Sequence, residues 1–291
     1  MDKPSAFTRP RRPALMGILN ITPDSFSGDG LLGAESVAGT VADSVADSVS
    51  DGLTEAVAAA ARMAAAGVQY IDIGAESTRP NALALDSDAE CERLLPVLLA
   101  LAQQPWRAKL RISVDTRHAR TAERALALGV DTINDVSGLA DPAMLDVLRG
   151  SACELVLMHA LSVPVDPKLT LPLDADAVQA LLIWKAATVA RVQAAGLDPA
   201  RLLLDPGIGF GKTAEQSLAL MHGASDLVAS GGRWLVGHSR KSFLKLFTAA
   251  EAGARDDLTL AFSAGLAHAG VHVLRVHAID RHAALFDSLC A

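Results

Sequence analysis

Short apolar runs alternate with longer amphipathic stretches along this chain. Eight of the runs end in a polar or charged residue, namely LMGILN, YIDIGAE, RISVD, TIND, LVLMH, RLLLD, WLVGHS and VLRVH. Such alternation is typical of βα units around a parallel sheet. Eight units in about 250 residues are what a (β/α)₈ barrel needs. The sequence therefore predicts an α/β fold, a single TIM barrel whose strand ends carry the active site.

The stretches between the runs carry helix signals. Helices are predicted at 53–66, 119–128, 174–195, 241–249, 256–269 and 280–289. The first three end at Gly67, Gly129 and Gly196, as expected where a helix stops at a left-handed residue. We expect the barrel to occupy residues 14–291, preceded by a disordered tail at 1–13.

Residues 28–52 separate the first strand from the first predicted helix and are longer than most βα loops. Their VADS repeat would place Val41, Val45 and Val49 in register on a helix. We interpret the segment as a flexible inserted loop. It is either a mobile surface insertion or weak helix, or a lid, because it follows the first strand on the catalytic side.

The overall charge limits the partners. A net charge of −7 gives no general attraction for nucleic acid or a membrane surface, so an anionic ligand would need a local basic site. No apolar run approaches the roughly 18 residues of a membrane span. The N-terminal stretch lacks the apolar segment of a signal peptide, which predicts a cytoplasmic protein. The three scattered cysteines, Cys91, Cys153 and Cys290, favour reduced thiols over a metal site.

The densest motif is DPGIGFGK, at residues 205–212. Its alternate glycines allow a sharp turn or close approach to a planar ligand. The final Gly-Lys-Thr resembles the end of a Walker A loop, but that loop needs a glycine where Pro206 stands. A phosphate-binding loop is therefore excluded, and a tight barrel loop without a ligand is the alternative.

Three polar residues, Asp115, Asn134 and Asp205, follow strands three, four and six and should converge at the barrel mouth. Carboxylate and amide oxygens suit a flat heterocycle with N–H donors. Lys241 would add a donor for a ring carbonyl or nitrogen; a Schiff-base lysine is the alternative. Asp115 and Asp205 could instead cap the helices that follow them.

A second group suggests an anion site. Arg275 and His277 alternate along the last strand and so point to the same side. Asn20, at the end of strand one, and Thr78 and Arg79, after strand two, would complete it. Phosphate sites near strands seven and eight are common in this fold. For Arg79 alone, a surface salt bridge is the alternative.

Several longer motifs then resemble one family. MGILNITPDSFS, IDIGAESTRP, ISVDT, INDVSG, LMH, LLLDPGIGFGK, VGHSRKSF and LRVH, in this order, are similar to the motifs of the dihydropteroate synthases. The match runs from about residue 14 to residue 282. It implies a barrel enzyme of folate synthesis that joins 6-hydroxymethyl-7,8-dihydropterin pyrophosphate to 4-aminobenzoate and releases pyrophosphate.

The resemblance also implies roles for individual residues. The pterin would be held by Asp115, Asn134, Met158, Asp205, Lys241 and Arg275, and of these Asp115, Lys241 and Arg275 would act in catalysis. Pyrophosphate and aminobenzoate would meet Thr78, Arg79, Phe210, Ser239, Arg275 and His277. Asn20 would help to bind Mg²⁺. The family further implies a homodimer.

This chain departs from the family pattern in several loops. Ala75 and Asn81 replace the usual glycines around STRP, Asp29 is displaced by one position, and the loop after LMH differs near the amine acceptor. Two other functions therefore stay open. One is a non-catalytic pterin-binding paralogue. The other is a pterin-dependent methyltransferase barrel, which would have no use for Arg275 and His277 as a pyrophosphate site.

Overall fold

The computed structural model describes residues 10–21, 41–76 and 84–290. Within them, parallel strands pair in chain order and close on themselves as β1–β8. The strands are β1 Ala14–Asn20, β2 Tyr70–Gly74, β3 Arg111–Asp115, β4 Thr132–Asp135, β5 Glu154–Met158, β6 Leu202–Asp205, β7 Arg233–Val236 and β8 Val273–Val276. All coincide with the predicted apolar runs to within a few residues. The predicted (β/α)₈ barrel is confirmed.

Helices surround the strands. They are α1 Val41–Ala65, α2 Ser87–Ala102, α3 Ala119–Ala127, α4 Met144–Arg149, α5 Ala177–Ala194, α6 Ala214–His222, α7 Ala224–Ala229, α8 Asp256–His268 and α9 Ile279–Leu289. The predicted glycine stops are confirmed, because Gly67, Gly129 and Gly196 take φ of 80°, 80° and 78°. None of the helices in these ranges combines the length and the apolarity needed to cross a bilayer.

Three predicted boundaries change. Residues 41–52, predicted as loop, belong to α1, while residues 28–40 lie outside the described residues. Of the predicted tail, residues 10–13 are described, and there Arg12 forms an ion pair with Asp287. The segment predicted as a helix at 241–249 is a 3₁₀ turn, Ser242–Leu246. It is only five residues long and ends where Phe247 meets Phe262 of α8, with ring centroids 5.6 Å apart.

Apolar side chains fill the barrel below the strand ends. The interior layer consists of Met16, Tyr70, Val156, Leu203, Leu235 and Val273. A second and larger cluster packs the outer faces of the strands against the helices. Each fully buried large side chain stabilises the fold by about 1.5–3 kcal/mol. Because side chains alternate along a strand, residues two positions beyond the interior layer also point inward, at the mouth of the barrel.

Candidate active site

Strand register brings predicted residues from different strands together at one end of the barrel. Asp115 pairs in register with Asn134 across β3 and β4, and Met158 with Asp205 across β5 and β6. Asn20 ends β1 at the same level, opposite Gly74. The carboxyl ends of these strands therefore form a common rim.

Arg275 lies between two carboxylates at this rim. Its Nε donates to Oδ2 of Asp72 over 2.6 Å, and its Nη2 donates to Oδ2 of Asp115 over 3.1 Å. The same Asp72 oxygen accepts a hydrogen bond from Nδ2 of Asn134 at 3.0 Å. One guanidinium thus binds two carboxylates, and the Asn134 amide nitrogen is held by one of them.

Asp72 is the member of this network that sequence reasoning missed. It lies inside the run YIDIG and is fully buried. Glu76, at the end of that run, pairs with Arg117 instead, over 2.8 and 2.9 Å. A signal was present: a charge two positions after Tyr70 in an otherwise apolar strand faces the barrel interior, as Tyr70 does.

The charges at the mouth are strongly perturbed. Burial, reinforced by the charge of Asp72 and opposed by Arg275, raises the pKa of Asp115 to about 8. Burial also raises the pKa of Asp205 and lowers that of Lys241 to about 8, although the two groups favour each other's charged form. Such shifts cluster at functional sites, because a ligand can supply the partners that burial has removed.

The helix-cap alternatives for the two predicted aspartates are wrong. The side chain of Thr213 caps α6, in a capping box with Gln216. The first amide of α3 bonds to Oδ2 of Asp141 at 3.0 Å. Asp205 instead accepts a hydrogen bond from the amide of Gly207 at 2.7 Å, within its own turn. Neither Asp115 nor Asp205 therefore serves as the cap proposed by the alternative.

The turn after β6 supplies an apolar wall. The side chains of Val136, Met158 and Phe210 form a small buried cluster. The Lys241 ammonium lies 4.2 Å from the centroid of the Phe210 ring, within the range of a cation–π contact. The mouth therefore combines a flat apolar surface with charged donors and acceptors, as a planar heterocycle requires.

Ser239 and His277 form a second polar pair beside β8. The Ser239 Oγ accepts from the backbone amide of His277 at 3.3 Å and lies 2.9 Å from its Nδ1. Burial and the nearby Arg240 lower the pKa of His277 to about 3. The ring is therefore neutral at neutral pH, and in the tautomer whose Nδ1 accepts the hydrogen bond of the Ser239 hydroxyl, Nε2 carries a proton that can be donated. Thr78 and Arg79 lie outside the described residues.

One cavity bounded by described residues lies at the opposite end of the barrel. It measures 1130 Å³ and is lined by residues at the starts of strands, among them Arg111, Glu154 and Arg233. A smaller cavity of 420 Å³ lies between the loops that follow β3, β4 and β5. The perturbed groups and the apolar wall mark the mouth, rather than the cavity at the strand starts, as the site. A closed barrel with these groups at its strand ends defines the class, a TIM-barrel enzyme.

Comparisons with known proteins agree with this class. Residues 37–277 match the family of pterin binding enzymes. The dihydropteroate synthase of Mycobacterium leprae is 36% identical over 90% of this chain and 87% of its own. The chain belongs to the pterin-binding enzyme family, among the dihydropteroate synthases, and this confirms the resemblance read from the motifs.

Two further relatives bear on structure and length. The Xanthomonas albilineans dihydropteroate synthase, solved with 4-aminobenzoic acid, superposes with a TM-score of 0.79 at 32% identity, covering 97% of this chain and 96% of that one. A probable bifunctional folylpolyglutamate synthase/dihydropteroate synthase of Haloferax volcanii is 36% identical over 93% of this chain. This chain spans only 30% of that bifunctional protein.

Proposed function

We propose that this chain is a dihydropteroate synthase that condenses 6-hydroxymethyl-7,8-dihydropterin pyrophosphate with 4-aminobenzoate. The observation that carries the proposal is the network in which Arg275 bridges Asp72 and Asp115, 2.6 and 3.1 Å away. Asp205 and Lys241 lie close enough to this network to shift its charges. Support for the acceptor comes from the Xanthomonas relative, which was solved with 4-aminobenzoic acid.

The pterin ring fits the donors and acceptors at the mouth. The oxygens of Asp115, Asn134 and Asp205 would accept from its amino and ring N–H groups, and Lys241 would donate to its carbonyl or ring nitrogen. Met158 packs beneath the ring, and Arg275 covers its face. Burial disfavours the charged forms of Asp115 and Asp205, and the N–H groups of a pterin would stabilise those forms by donating hydrogen bonds.

The reaction exchanges one bond for another at the pterin methylene. The carbon–oxygen bond to pyrophosphate breaks, and the aminobenzoate nitrogen forms a new bond to that carbon and loses a proton. Asp115 would stabilise the positive charge that develops on the pterin, while Arg275, His277 and Thr78 would meet the departing pyrophosphate. The Nε2–H of a neutral His277 can donate to a phosphate oxygen. Ser239, Arg79 and Phe210 would shape the acceptor site.

Magnesium fits the proposed reaction as an ion that arrives with the substrate. Among the described residues no group of three or more His, Cys, Asp or Glu could enclose a metal. Mg²⁺ often uses only one or two protein ligands plus waters and substrate phosphates, and the carboxamide oxygen of Asn20 is a ligand of the required hard type. When bound, the ion supplies positive charge that neutralises the leaving pyrophosphate.

We also propose a homodimer, as the family resemblance implies. Leu246 and Phe247 are 43% and 52% exposed, and a partner subunit would cover them. Light scattering on the purified protein tests this assembly. The cytoplasmic location stays a prediction from the sequence.

The deciding experiment is to incubate the purified protein with the pterin pyrophosphate, 4-aminobenzoate and Mg²⁺ and to measure pyrophosphate release. Release that depends on both the amine and the metal is the expected result. Tight pterin binding without release would favour the non-catalytic paralogue. Transfer of a methyl group from a reduced folate to a corrinoid would favour the methyltransferase.

A further inference from the structure

Lys212, the last residue of the DPGIGFGK motif, has no part in the reaction described above. We propose that Lys212 is a positioning residue that ties the β5–α5 loop, residues 159–176, to the turn that carries Phe210, and so fixes one wall of the acceptor site. The inference rests on the proposed function, because the acceptor is the ligand whose site Phe210 shapes.

The contacts of the Lys212 ammonium join two loops at one point. Its Nζ lies 2.8 Å from Nδ1 of His159, 3.2 Å from the carbonyl oxygen of His159 and 2.9 Å from the carbonyl oxygen of Phe210. Burial lowers the pKa of Lys212 to about 7, and in its protonated form the amine has three donors, all of which these contacts use. The side chain is also buried. The Lys212 side chain therefore links His159 to Phe210, and these three contacts are called the clasp.

His159 is suited to accept such a hydrogen bond. Burial and the charge of Lys212 lower the pKa of His159 to about 4, so its ring is neutral at neutral pH. Nδ1 then carries the lone pair and Nε2 the proton. The edge of the ring meets Trp184 of α5, with centroids 5.5 Å apart, which holds the imidazole in place.

The two loops that Lys212 joins approach each other too closely for ordinary side chains. A Cβ atom at Gly207 would lie 2.0 Å from the carbonyl oxygen of His159, and one at Gly211 would lie 2.5 Å from Cγ of Leu161. Both glycines have positive φ, 65° and 69°. The two glycines allow the loops to lie this close together, and the hydrogen bonds of Lys212 hold them in contact.

The clasp reaches the site through Phe210. The carbonyl of Phe210 is held by Lys212, and its ring lies 4.2 Å from the ammonium of Lys241. A shift of this backbone would move the ring against Lys241 and Met158. Lys212 therefore acts on the substrates only through Phe210. Its loss should displace the wall of the aminobenzoate site more than it displaces Asp115 and Asn134, the proposed pterin-binding residues on β3 and β4.

The test compares Lys212→Met with Lys168→Met, an exposed lysine of the same β5–α5 loop. We expect Lys212→Met to raise KM for 4-aminobenzoate about tenfold at saturating pterin pyrophosphate, because a hydrogen-bonded clasp is lost. Pterin affinity by calorimetry should change by less than about threefold, and Lys168→Met should match the wild type. An unchanged KM, or an equal loss of pterin affinity, would overturn the proposal.

The conservative variant and a double mutant sharpen the test. Lys212→Arg keeps the charge but cannot place three donors at one atom, so KM should rise about threefold. If thermal unfolding shows that Lys212→Met is not folded, Lys212→Arg decides the test. A wild-type KM in Lys212→Arg would then contradict the proposed role of Lys212. Adding Lys212→Met to Phe210→Leu should raise KM little further; additive effects would show that Lys212 does not act through Phe210.

These outcomes are distinct from failure of the proposed function. A wild-type protein that releases no pyrophosphate with 4-aminobenzoate would refute the synthase activity itself. A wild-type protein that turns over, with Lys212→Met behaving identically, would refute only the role of Lys212.

Discussion

Both ends of the barrel are charged, but in different ways. At the base, where the strands begin, the carboxylate of Glu154 is shared by Arg233 and Arg111, the latter at 3.2 Å. The side chains of Arg111 and Arg233 are 53% and 39% exposed, so water solvates their remaining charge. At the mouth one arginine, Arg275, whose side chain is 19% exposed, pairs with two carboxylates.

This difference indicates which feature identifies the functional site in this molecule. The base holds a cavity of 1130 Å³, yet Oε1 of Glu154 already accepts from both arginines, and water solvates the exposed parts of their side chains. The mouth holds carboxylates whose pKa values are raised by burial, and these gain from a ligand with N–H donors. Carboxylates whose pKa values burial raises distinguish the catalytic end from the base.

The largest effect is expected for Arg275→Met, with Arg233→Met as the matched change at the base. Removing Arg275 withdraws the cation that faces both Asp115 and the leaving pyrophosphate, so kcat/KM should fall about 10²–10³-fold. Arg233→Met should stay within about threefold of wild type, because it lies outside the site. Pyrophosphate release measures both. Equal losses in the two variants would remove the distinction between the ends.

A smaller effect is expected for Asp205→Asn. The change keeps the shape of the side chain but removes the charge that pairs with the ring donors of the pterin. Hydrogen bonds to a charged group contribute about 1.5–3 kcal/mol, so pterin affinity should fall roughly 10- to 150-fold. Calorimetry measures this, and unchanged binding would mean that Asp205 only shapes its own turn at Gly207.

The raised pKa of Asp115 predicts a pH-dependent cost in stability. The unfolded chain releases this proton near its ordinary value of 3.8, whereas the folded protein keeps it to about 8. Folding therefore binds a proton between these values, and the stability this gives is lost as pH rises through 8. Asp115→Asn should thus match wild type near pH 4 and become increasingly more stable than wild type as pH rises toward 8, while losing activity.

Urea denaturation across this pH range measures the prediction for Asp115. The expected sign is opposite to that of a paired surface carboxylate, which stabilises the fold as pH rises. A variant that is less stable than wild type at pH 8 would show that the pair with Arg275 outweighs the burial of the carboxylate.

The smallest effect is expected for Glu154→Gln at the base. The carboxylate of Glu154 is buried, but both of its arginine partners are more than a third exposed and solvent screens them, so the loss of stability should be about 1 kcal/mol. Turnover should be unchanged. A loss of activity comparable to that of the mouth variants would show that the two ends are coupled.

Much of the site was predictable because its residues stand at the ends of apolar runs. Asp115, Asn134 and Asp205 each close a strand, and parallel strands in a barrel bring such ends together. Asp72 and Lys212 were not found in this way. Asp72 lies within a strand, where only its partners on β4 and β8 reveal its role, and Lys212 contacts a histidine 53 positions away along the chain.

The barrel, its eight strands and the glycine stops of its helices could be predicted from the sequence, because apolar periodicity and left-handed glycines are local properties. The pairing of the charges could be seen only in the folded structure. Glu76 pairs with Arg117, whereas Asp72 and Asp115 both pair with Arg275, which lies 203 and 160 positions away in the chain. Pairing depends on distance and burial in three dimensions, and these are fixed when the first and last strands close the barrel.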